Sequence, residues 1–427
     1  MRHLPAGWKR TSLGEVLDRI EAGRSFAGEP RPAAIDEWGV IKVSAMTYGA
    51  FRENENKAVA AGTAFSEAAE IRPGDLLLSR ANTRDYVGAS VLVGDCRPHL
   101  LLSDKSLRLC PTTAADRRWL WYALSAPQSR QYLSDTSTGV KAGMRNISQA
   151  SLRAMPLILP PLPEQRRIVE ILEDHLSRID AAHAQLASAA RRAEGWRRAS
   201  VDHILSVNGS PLRPVAEPLR EPMRNGHSAR AARDGETGIR TLTLTAVTKG
   251  VFNDTFTKIA TADPSRVSRL WLTHGDILVQ RSNTPELVGT TAMYDGPPDW
   301  AIFPDLMIRL RVDQAIALPQ YLTAVLRSER VHRQLRAKAK GLAGSMPKID
   351  QEAIATTLVP VPSLDRQREL ITQLVDIGET CARLTDALAE ARLQGAALRR
   401  ALLDAAFSGR LTSRASDVAI AKEMASV

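Results

Sequence analysis

Cysteine is scarce in this chain: Cys96, Cys110 and Cys381 are the only three, an odd number with no CxxC pair among them. A disulfide scaffold and a structural zinc site therefore lack material, and a reducing, cytoplasmic setting fits best. No run of about 18 apolar residues exists, which excludes a membrane-spanning helix. The opening MRHLPAGWKR lacks the apolar stretch of a secretory signal. Reactive signatures are missing as well. There is no GxxxxGK[ST] phosphate loop, no glycine-rich dinucleotide turn and no [ND]PP[YF] tetrapeptide, and Pro297-Pro298-Asp299 has the wrong order for the last. Glu55-Asn56-Lys57 matches a nuclease ExK only by force, because no Pro-Asp precedes it; a solvated loop accounts for it. His175, His183 and His203 do not stand at the i, i+4 spacing that points two imidazoles at one metal. An autonomous catalytic site has no support.

What is present is ordinary in bulk and unusual in charge. The 427 residues imply two to four domains. Hydrophobic residues at 44% and charged residues at 24% describe a folded, soluble chain, and 26 Gly with 24 Pro rule out collagen-like or low-complexity sequence. The net charge is +10, and 46 of the 57 basic residues are Arg. Such an excess favours a polyanion, nucleic acid before membrane surface, because Arg grips phosphate or a guanine edge with two parallel bonds. An arginine-rich genome is the competing explanation.

The chain repeats itself. Residues 74–88 (GDLLLSRANTRDYVG) and 275–289 (GDILVQRSNTPELVG) agree at 8 of 15 positions, at an offset of 201. The same offset carries Ile41–Phe51 onto Leu242–Phe252, and Asp104, Leu107, Arg108 and Leu109 onto Asp305, Ile308, Arg309 and Leu310. At 202, Gly139, Met144, Ile147 and Gln149 fall on Gly341, Met346, Ile349 and Gln351, and PPLPEQRRI (160–168) falls on PSLDRQREL (362–370). Two copies of about 200 residues fill nearly the whole chain. Each opens with strand signals (Asp75–Ser79 and Asp276–Gln280, then Val87–Val93 and Val288–Met293) and a helical segment (Trp119–Leu124, Tyr321–Leu326). The pattern predicts an α+β domain with a curved, largely antiparallel sheet.

Each copy closes with a long proline-free stretch after a proline-rich stop. Arg366–Ser408 carries Leu370, Leu374, Ile377, Cys381, Leu384, Leu388, Ala391, Gly395, Leu398, Leu402 and Ala405 in an unbroken 4,3 alternation, a coiled-coil seam. Glu164–Ser206 keeps Leu172, Ile179, Leu186 and Ala193 seven apart, with Ile168, Ala182, Ala189 and Trp196 between them. Each helix reaches about 60 Å, and a helix with one apolar stripe must bury it. The simplest closure is an antiparallel pair with pseudo-twofold symmetry, packed through Leu172, Ile179, Leu186, Trp196, Leu374, Leu384, Leu388 and Leu398. Gly395 and Ala391 would make room for Trp196. The alternative is two helices that dock separately on their own domains.

At this point the chain resembles the specificity subunit of type I restriction–modification systems. The match rests on the paired GDLLLSR and GDILVQR strands with their N-T-x-x-x-V-G continuations, on LPPLPEQRRIVEIL (159–172) with its echo VPVPSLDRQRELI (359–371), and on the ending ALRRALLDAAFSGRLT (397–412). The second helix start departs from the first, with Asp365-Arg366 in place of Pro-Glu. The resemblance implies a target recognition domain at 1–160, a spacer helix at 161–206, a second recognition domain at 207–362, a second spacer helix at 363–412 and a flexible tail at 413–427. It further implies a bipartite double-stranded DNA target, one half-site per domain, with the helices setting the unread gap. Two methyltransferase subunits would supply S-adenosylmethionine and adenine N6-methylation, and restriction subunits would supply ATP- and Mg-driven translocation and cutting. This chain would bind no cofactor and no metal and would itself be non-catalytic.

Base readout needs forked donors and amides, and phosphate contact needs cations, hydroxyls or backbone N–H groups. Three duplicated segments offer them. The R-x-N-T turn carries Arg80, Asn82, Thr83 and Arg281, Asn283, Thr284; a purely structural turn would hold the same residues. The glycine-rich basic loop carries Lys141, Arg145, Asn146 and Lys340, Ser345, Lys348, and a turn before glycine carries Thr47, Tyr48 and Thr248, Lys249. Two other readings stay open: a stand-alone DNA methyltransferase or nuclease with unrecognised motifs, and a coiled-coil protein-binding adaptor.

Overall fold

A computed structural model describes residues 4–139, 143–206, 210–233, 236–341 and 346–412. Lys141, Ser345 and the tail at 413–427 lie outside the described residues. The element order is β1 (Lys9–Ser12), β2 (Leu17–Ala22), β3 (Gly39–Ile41), β4 (Asn56–Ala58), β5 (Leu76–Ser79), β6 (Ala81–Asn82), β7 (Ser90–Leu92), β8 (Leu100–Leu101), β9 (Ser106–Pro111), α1 (Arg117–Ser125), α2 (Pro127–Thr136), β10 (Arg145–Asn146), α3 (Gln149–Arg153), β11 (Pro156–Leu159) and α4 (Leu162–Leu205). The second copy follows with β12 (Leu212–Pro214), β13 (Arg224–Asn225), β14 (Arg230–Ala231), β15 (Ile239–Leu242), β16 (Thr257–Thr261), α5 (Pro264–Val267), β17 (Ile277–Gln280), β18 (Thr291–Met293), β19 (Met307–Leu310), α6 (Pro319–Arg327), α7 (Glu329–Ala337), α8 (Gln351–Ala355), β20 (Leu358–Pro360) and α9 (Leu364–Phe407). Among the described residues no helix is long and apolar enough to cross a membrane.

The chain forms two compact units: Met1–Leu186 with Glu390–Val427, and Ala187–Ala389. Each long helix thus begins in one unit and ends in the other. In the first unit, β2, β9, β5 and β7 make an antiparallel four-stranded sheet, while β4, β3 and β8 make a second sheet in which β3 and β8 run parallel. The second unit repeats the four-stranded arrangement as β13, β19, β17 and β18. The expected single curved sheet is instead several small ones. The strands are only two to six residues long, and buried arginines tie the four-stranded sheets to the loops beside them. In the first unit Arg108 donates to Asp75 Oδ2 (2.8 Å), Glu21 Oε2 (2.6 Å) and the carbonyl oxygens of Ala68 and Glu70. Its counterpart Arg309 donates to Glu221 (3.1 Å) and to the Trp271 carbonyl (3.0 Å).

The helix starts follow from one side chain. Gln165, fully buried, accepts from Asp116 N–H (2.7 Å) and donates to the carbonyls of Ala114 (2.9 Å) and Pro160 (2.8 Å). Gln367, also fully buried, accepts from Leu318 N–H (2.8 Å) and donates to Ile316 (3.1 Å) and Pro362 (2.9 Å). The glutamine of PEQRR and DRQRE therefore ties each long helix to the loop before α1 or α6. This explains why the second helix starts cleanly at Leu364 despite its Asp365-Arg366.

Within the first unit, α4 and α9 run antiparallel: Arg399 Nη1 meets Asp180 Oδ1 at 2.8 Å, and His183 packs on Gly395. The start of α4 (Ile168, Val169, Leu172, Leu176, Ile179) and the end of α9 (Leu402, Leu403, Ala406, Phe407) share one core with Trp119, whose ring centre is 5.9 Å from that of Phe407. Within the second unit, Leu205 at the end of α4 joins the core that holds Leu370 near the start of α9. Helices docked separately on their own domains are thereby excluded, since each domain is capped by the far end of the other copy's helix. At the stop of α9, Gly409 at φ 75° lets Arg410 N–H reach the Ala405 carbonyl (3.0 Å), a left-handed cap that a side chain would strain.

The seam differs from expectation in phase. Leu172 and Ile179 are buried, and Leu186, Leu374, Leu388 and Leu398 are half-buried, but Trp196 is 51% and Leu384 43% exposed. On α4 the second seam position falls at Leu176, His183 and Arg197, one residue after Ala182 and Trp196. Two heptad phases one residue apart share the Leu172–Ile179–Leu186 track; of the expected partners Ile168 is buried and Ala189 half-buried, whereas Ala182 and Trp196 are exposed. His183, not Trp196, occupies the space over Gly395. Arg197 takes the place given to Trp196, with Nε and Nη2 each 2.8 Å from Glu194.

Candidate nucleic-acid interface

In the first domain the duplicated turn is built on β5 and β6. Arg80 N–H donates to Lys105 O (2.8 Å), and its own carbonyl accepts from Ile147 N–H (3.0 Å), so its backbone is held on both sides. β6 pairs antiparallel with β10, setting Asn82 opposite Arg145 and Ala81 opposite Asn146. This joins the R-x-N-T turn to one arm of the glycine-rich loop. Thr47 completes the cluster, its Oγ1 donating to Val43 O (3.0 Å) and lying 3.5 Å from Asn82 Nδ2. The second domain repeats the construction. Arg281 N–H donates to Leu306 O (2.8 Å), and its carbonyl accepts from Ile349 N–H (2.8 Å). Ser282 bridges Lys348, and Gln280 Nε2 donates to Leu244 O and Thr248 Oγ1, each at 2.9 Å. The structure thus brings the three candidate segments together, once per domain.

It also divides the candidates into framework and surface. Asn82 is buried and Asn283 half-buried; each accepts its following Thr N–H at 2.8 Å, and Asn283 Nδ2 donates to Gln280 Oε1 at 2.8 Å. Thr248 likewise donates to Leu244 O (2.8 Å). Arg145 spends Nε on Ser137 Oγ (2.6 Å) and Nη2 on the Ser137 carbonyl. Asn82, Asn283, Thr47, Thr248 and Arg145 thus each make hydrogen bonds within the cluster that help to hold its frame. Lys340 pairs with Asp350 at 3.2 Å, and that carboxyl is held below its usual range by Ala353 N–H and then by Lys340. Tyr48, Thr83, Asn146, Lys249, Thr284 and Lys348 are exposed.

Arg80 and Arg281 stand apart. Each is half-buried, and each has a buried Nε with no hydrogen-bond partner among the described residues. An unsatisfied charged donor costs stability unless a ligand meets it, and here the cost occurs twice at equivalent positions. Behind the cluster, Arg130 Nη2 donates to Asp85 O (3.0 Å) in the first domain, and burial lowers its pKa. The corresponding residue of the second domain, His332, contacts Val288 O (3.0 Å), and burial pushes its imidazole below the usual range. Sequence reasoning missed Gln280, Arg52 and Tyr86. Gln280 carried no signal, since Ser79 replaces it in the first copy, whereas Arg52 stands at i+4 from the candidate Tyr48.

Comparison with known proteins agrees with this architecture. Residues 5–189 match the family model described as the type I restriction modification DNA specificity domain. The EcoEI specificity subunit of Escherichia coli is 32% identical over 188 residues, 44% of this chain and 32% of that protein, so the chain spans about a third of that relative's length. The StySPI specificity subunit of Salmonella potsdam is 22% identical over 442 residues, 96% of this chain and 90% of that protein. A solved chain, described for complex assembly and conformational transition of the type I R-M system, has the same fold: TM-score 0.71 at 19% identity, covering 96% of this chain and 100% of that one. Residues 5–189 are thus similar to the type I restriction modification DNA specificity domain, and the chain as a whole shares the fold of that solved chain.

Proposed function

We propose that this chain reads a bipartite sequence in double-stranded DNA, one half-site per domain, and carries no catalysis of its own. The observation that supports this most is the duplicated cluster of turn, loop arm and half-buried arginine, one in each domain. Two equivalent surfaces suit a target in two parts. Two half-sites on one face of DNA lie about one helical turn, roughly 34 Å, apart. The paired helices α4 and α9 hold such a gap better than a flexible linker would.

In this reading the chemistry belongs to partners. Two methyltransferase subunits would assemble on this chain and bring S-adenosylmethionine to an adenine N6, and restriction subunits would add ATP- and Mg-dependent translocation and cutting. Selection from randomised duplexes with the chain in its methyltransferase assembly tests the proposal. The expected result is two specified blocks separated by an unspecified gap of constant length, with affinity falling steeply as salt rises. A single contiguous block, no sequence preference, or methyl transfer by the purified chain alone would refute it.

A further inference from the structure

The two recognition surfaces share a framework but differ at their tips, and one tip carries an assembly the other lacks. In the first domain Gly49, at φ 77°, turns the chain after Tyr48. Arg52 N–H then donates to Ala45 O (3.0 Å), and Arg52 O accepts from Glu55 N–H (3.1 Å), which fixes the Arg52 backbone. Its guanidinium lies 4.4 Å from the centre of the Tyr48 ring. Tyr48 in turn meets Tyr86, from the end of the R-x-N-T turn, with ring centres 6.0 Å apart at 64°. Tyr48 is 59% and Tyr86 39% exposed, an unusual cost for two aromatic rings without a partner.

The stacked arginine has no acid to neutralise it. Among the described residues no carboxylate stands within ion-pair distance of Arg52, and the two nearest in sequence are committed elsewhere. Glu53 accepts from Arg97 N–H (2.7 Å) and Glu55 from Ser44 Oγ (2.6 Å). At the offset of 201, the second domain has Lys249, Asn253 and Leu287 in these three places. Asn253 is tied up, its Oδ1 accepting from Thr255 N–H (2.9 Å) and Thr255 Oγ1 (2.6 Å). The framework beneath is retained, with Thr47 and Thr248 making the same backbone bond. Divergence on a retained frame is what two domains reading different half-sites require.

We infer that Arg52, held over the Tyr48 ring and backed by Tyr86, reads a guanine in the half-site of the first domain. The inference rests on the DNA-reading function proposed above. A planar guanidinium presents two parallel donors that match guanine O6 and N7, a pairing that no other base edge offers in the major groove. Stacking on a tyrosine face orients that fork before binding and leaves its outward edge open. The second domain, with Lys249 and Asn253 here, does not use this device.

Selection from randomised duplexes, run on wild type, Arg52→Ala, Arg52→Lys and Tyr48→Ala in the methyltransferase assembly, tests the inference. Wild type is expected to show a guanine in one half-site that Arg52→Ala relaxes by about tenfold or more, with the other half-site unchanged. Arg52→Lys keeps the charge without the fork, so it should retain overall affinity and salt dependence while losing the guanine preference. Tyr48→Ala should weaken that preference in part. A uniform loss of affinity for all sequences in Arg52→Ala, rescued by Arg52→Lys, would make Arg52 a phosphate contact and overturn the assignment. Loss of preference for an A·T run instead would place it in a narrow minor groove and also overturn it. An unchanged bipartite site in all variants refutes the arginine alone, whereas absence of any site in wild type refutes the function beneath it.

Discussion

Gln165 and Gln367 occupy the same place in the two long helices and make the same three bonds to loop backbone. Removing one leaves buried backbone groups unmatched, at about 1–3 kcal/mol for each such group. Gln165→Ala is therefore expected to lower the thermal midpoint of the first unit by several degrees. Gln165→Glu, which keeps the shape but points a carboxylate at two carbonyls, should be at least as harmful. Thermal denaturation within a degree of wild type for both variants would show that the helix start does not depend on this side chain. His332 gives a second prediction at the same level. Burial lowers its folded pKa below the ordinary 6.5, so the unfolded chain binds the proton more readily. The stability due to the neutral imidazole is complete above about pH 6.5 and is lost as pH falls through the folded pKa. Denaturant unfolding should show the second unit weakening between neutral and mildly acid pH, and His332→Gln should flatten that dependence. The glutamines stood in the motif that marked the helix starts, yet nothing in the spacing told that they face inward to backbone rather than outward to solvent.

Helix α4 illustrates how a legible element can hide its contacts. Its extent, Leu162–Leu205, and that of α9, Leu364–Phe407, follow from proline stops and long apolar periodicity. The phase of the seam does not, because His183 and Arg197 are polar and no hydropathy pattern nominates them. Gly395 records the contact: a Cβ there would lie 2.3 Å from His183 Nε2. Alanine at a helical glycine is ordinarily worth about 1 kcal/mol in its favour, so the expected reversal is informative. Gly395→Ala alone should destabilise the first unit, and the double variant with His183→Ala should recover wild-type stability or exceed it, as read by denaturant unfolding. If Gly395→Ala alone stabilises, His183 does not occupy that space.

Across the full chain, antiparallel pairing of α4 and α9 in each unit means that neither helix can change length alone without breaking register in one of the units. The proposed ruler is tested there. A heptad added to both helices lengthens each by about 10 Å, which corresponds to about three base pairs at 3.4 Å per step. Mapping of methylated sites should show the unread gap growing by that amount with both half-sites unchanged, while a heptad in one helix alone should abolish specific binding. An unchanged gap with matched insertions would end the ruler.

Duplication, the extents of the long helices and excess positive charge were readable in the residues, because each depends on local identity or on short periods along the chain. The internal bonding of part of the candidate site was not readable. Asn82, Asn283, Thr47, Thr248 and Arg145 carry the chemistry of a reader, and their bonds go to groups as far as 35 residues away. Whether a donor is spent or available is a property of what surrounds it. The same holds for the partner of Gly395, and for the far end of each helix, which closes the core of the other copy's domain. Periodicity announces that a face must be buried; which surface buries it is chosen by packing between segments distant in the chain.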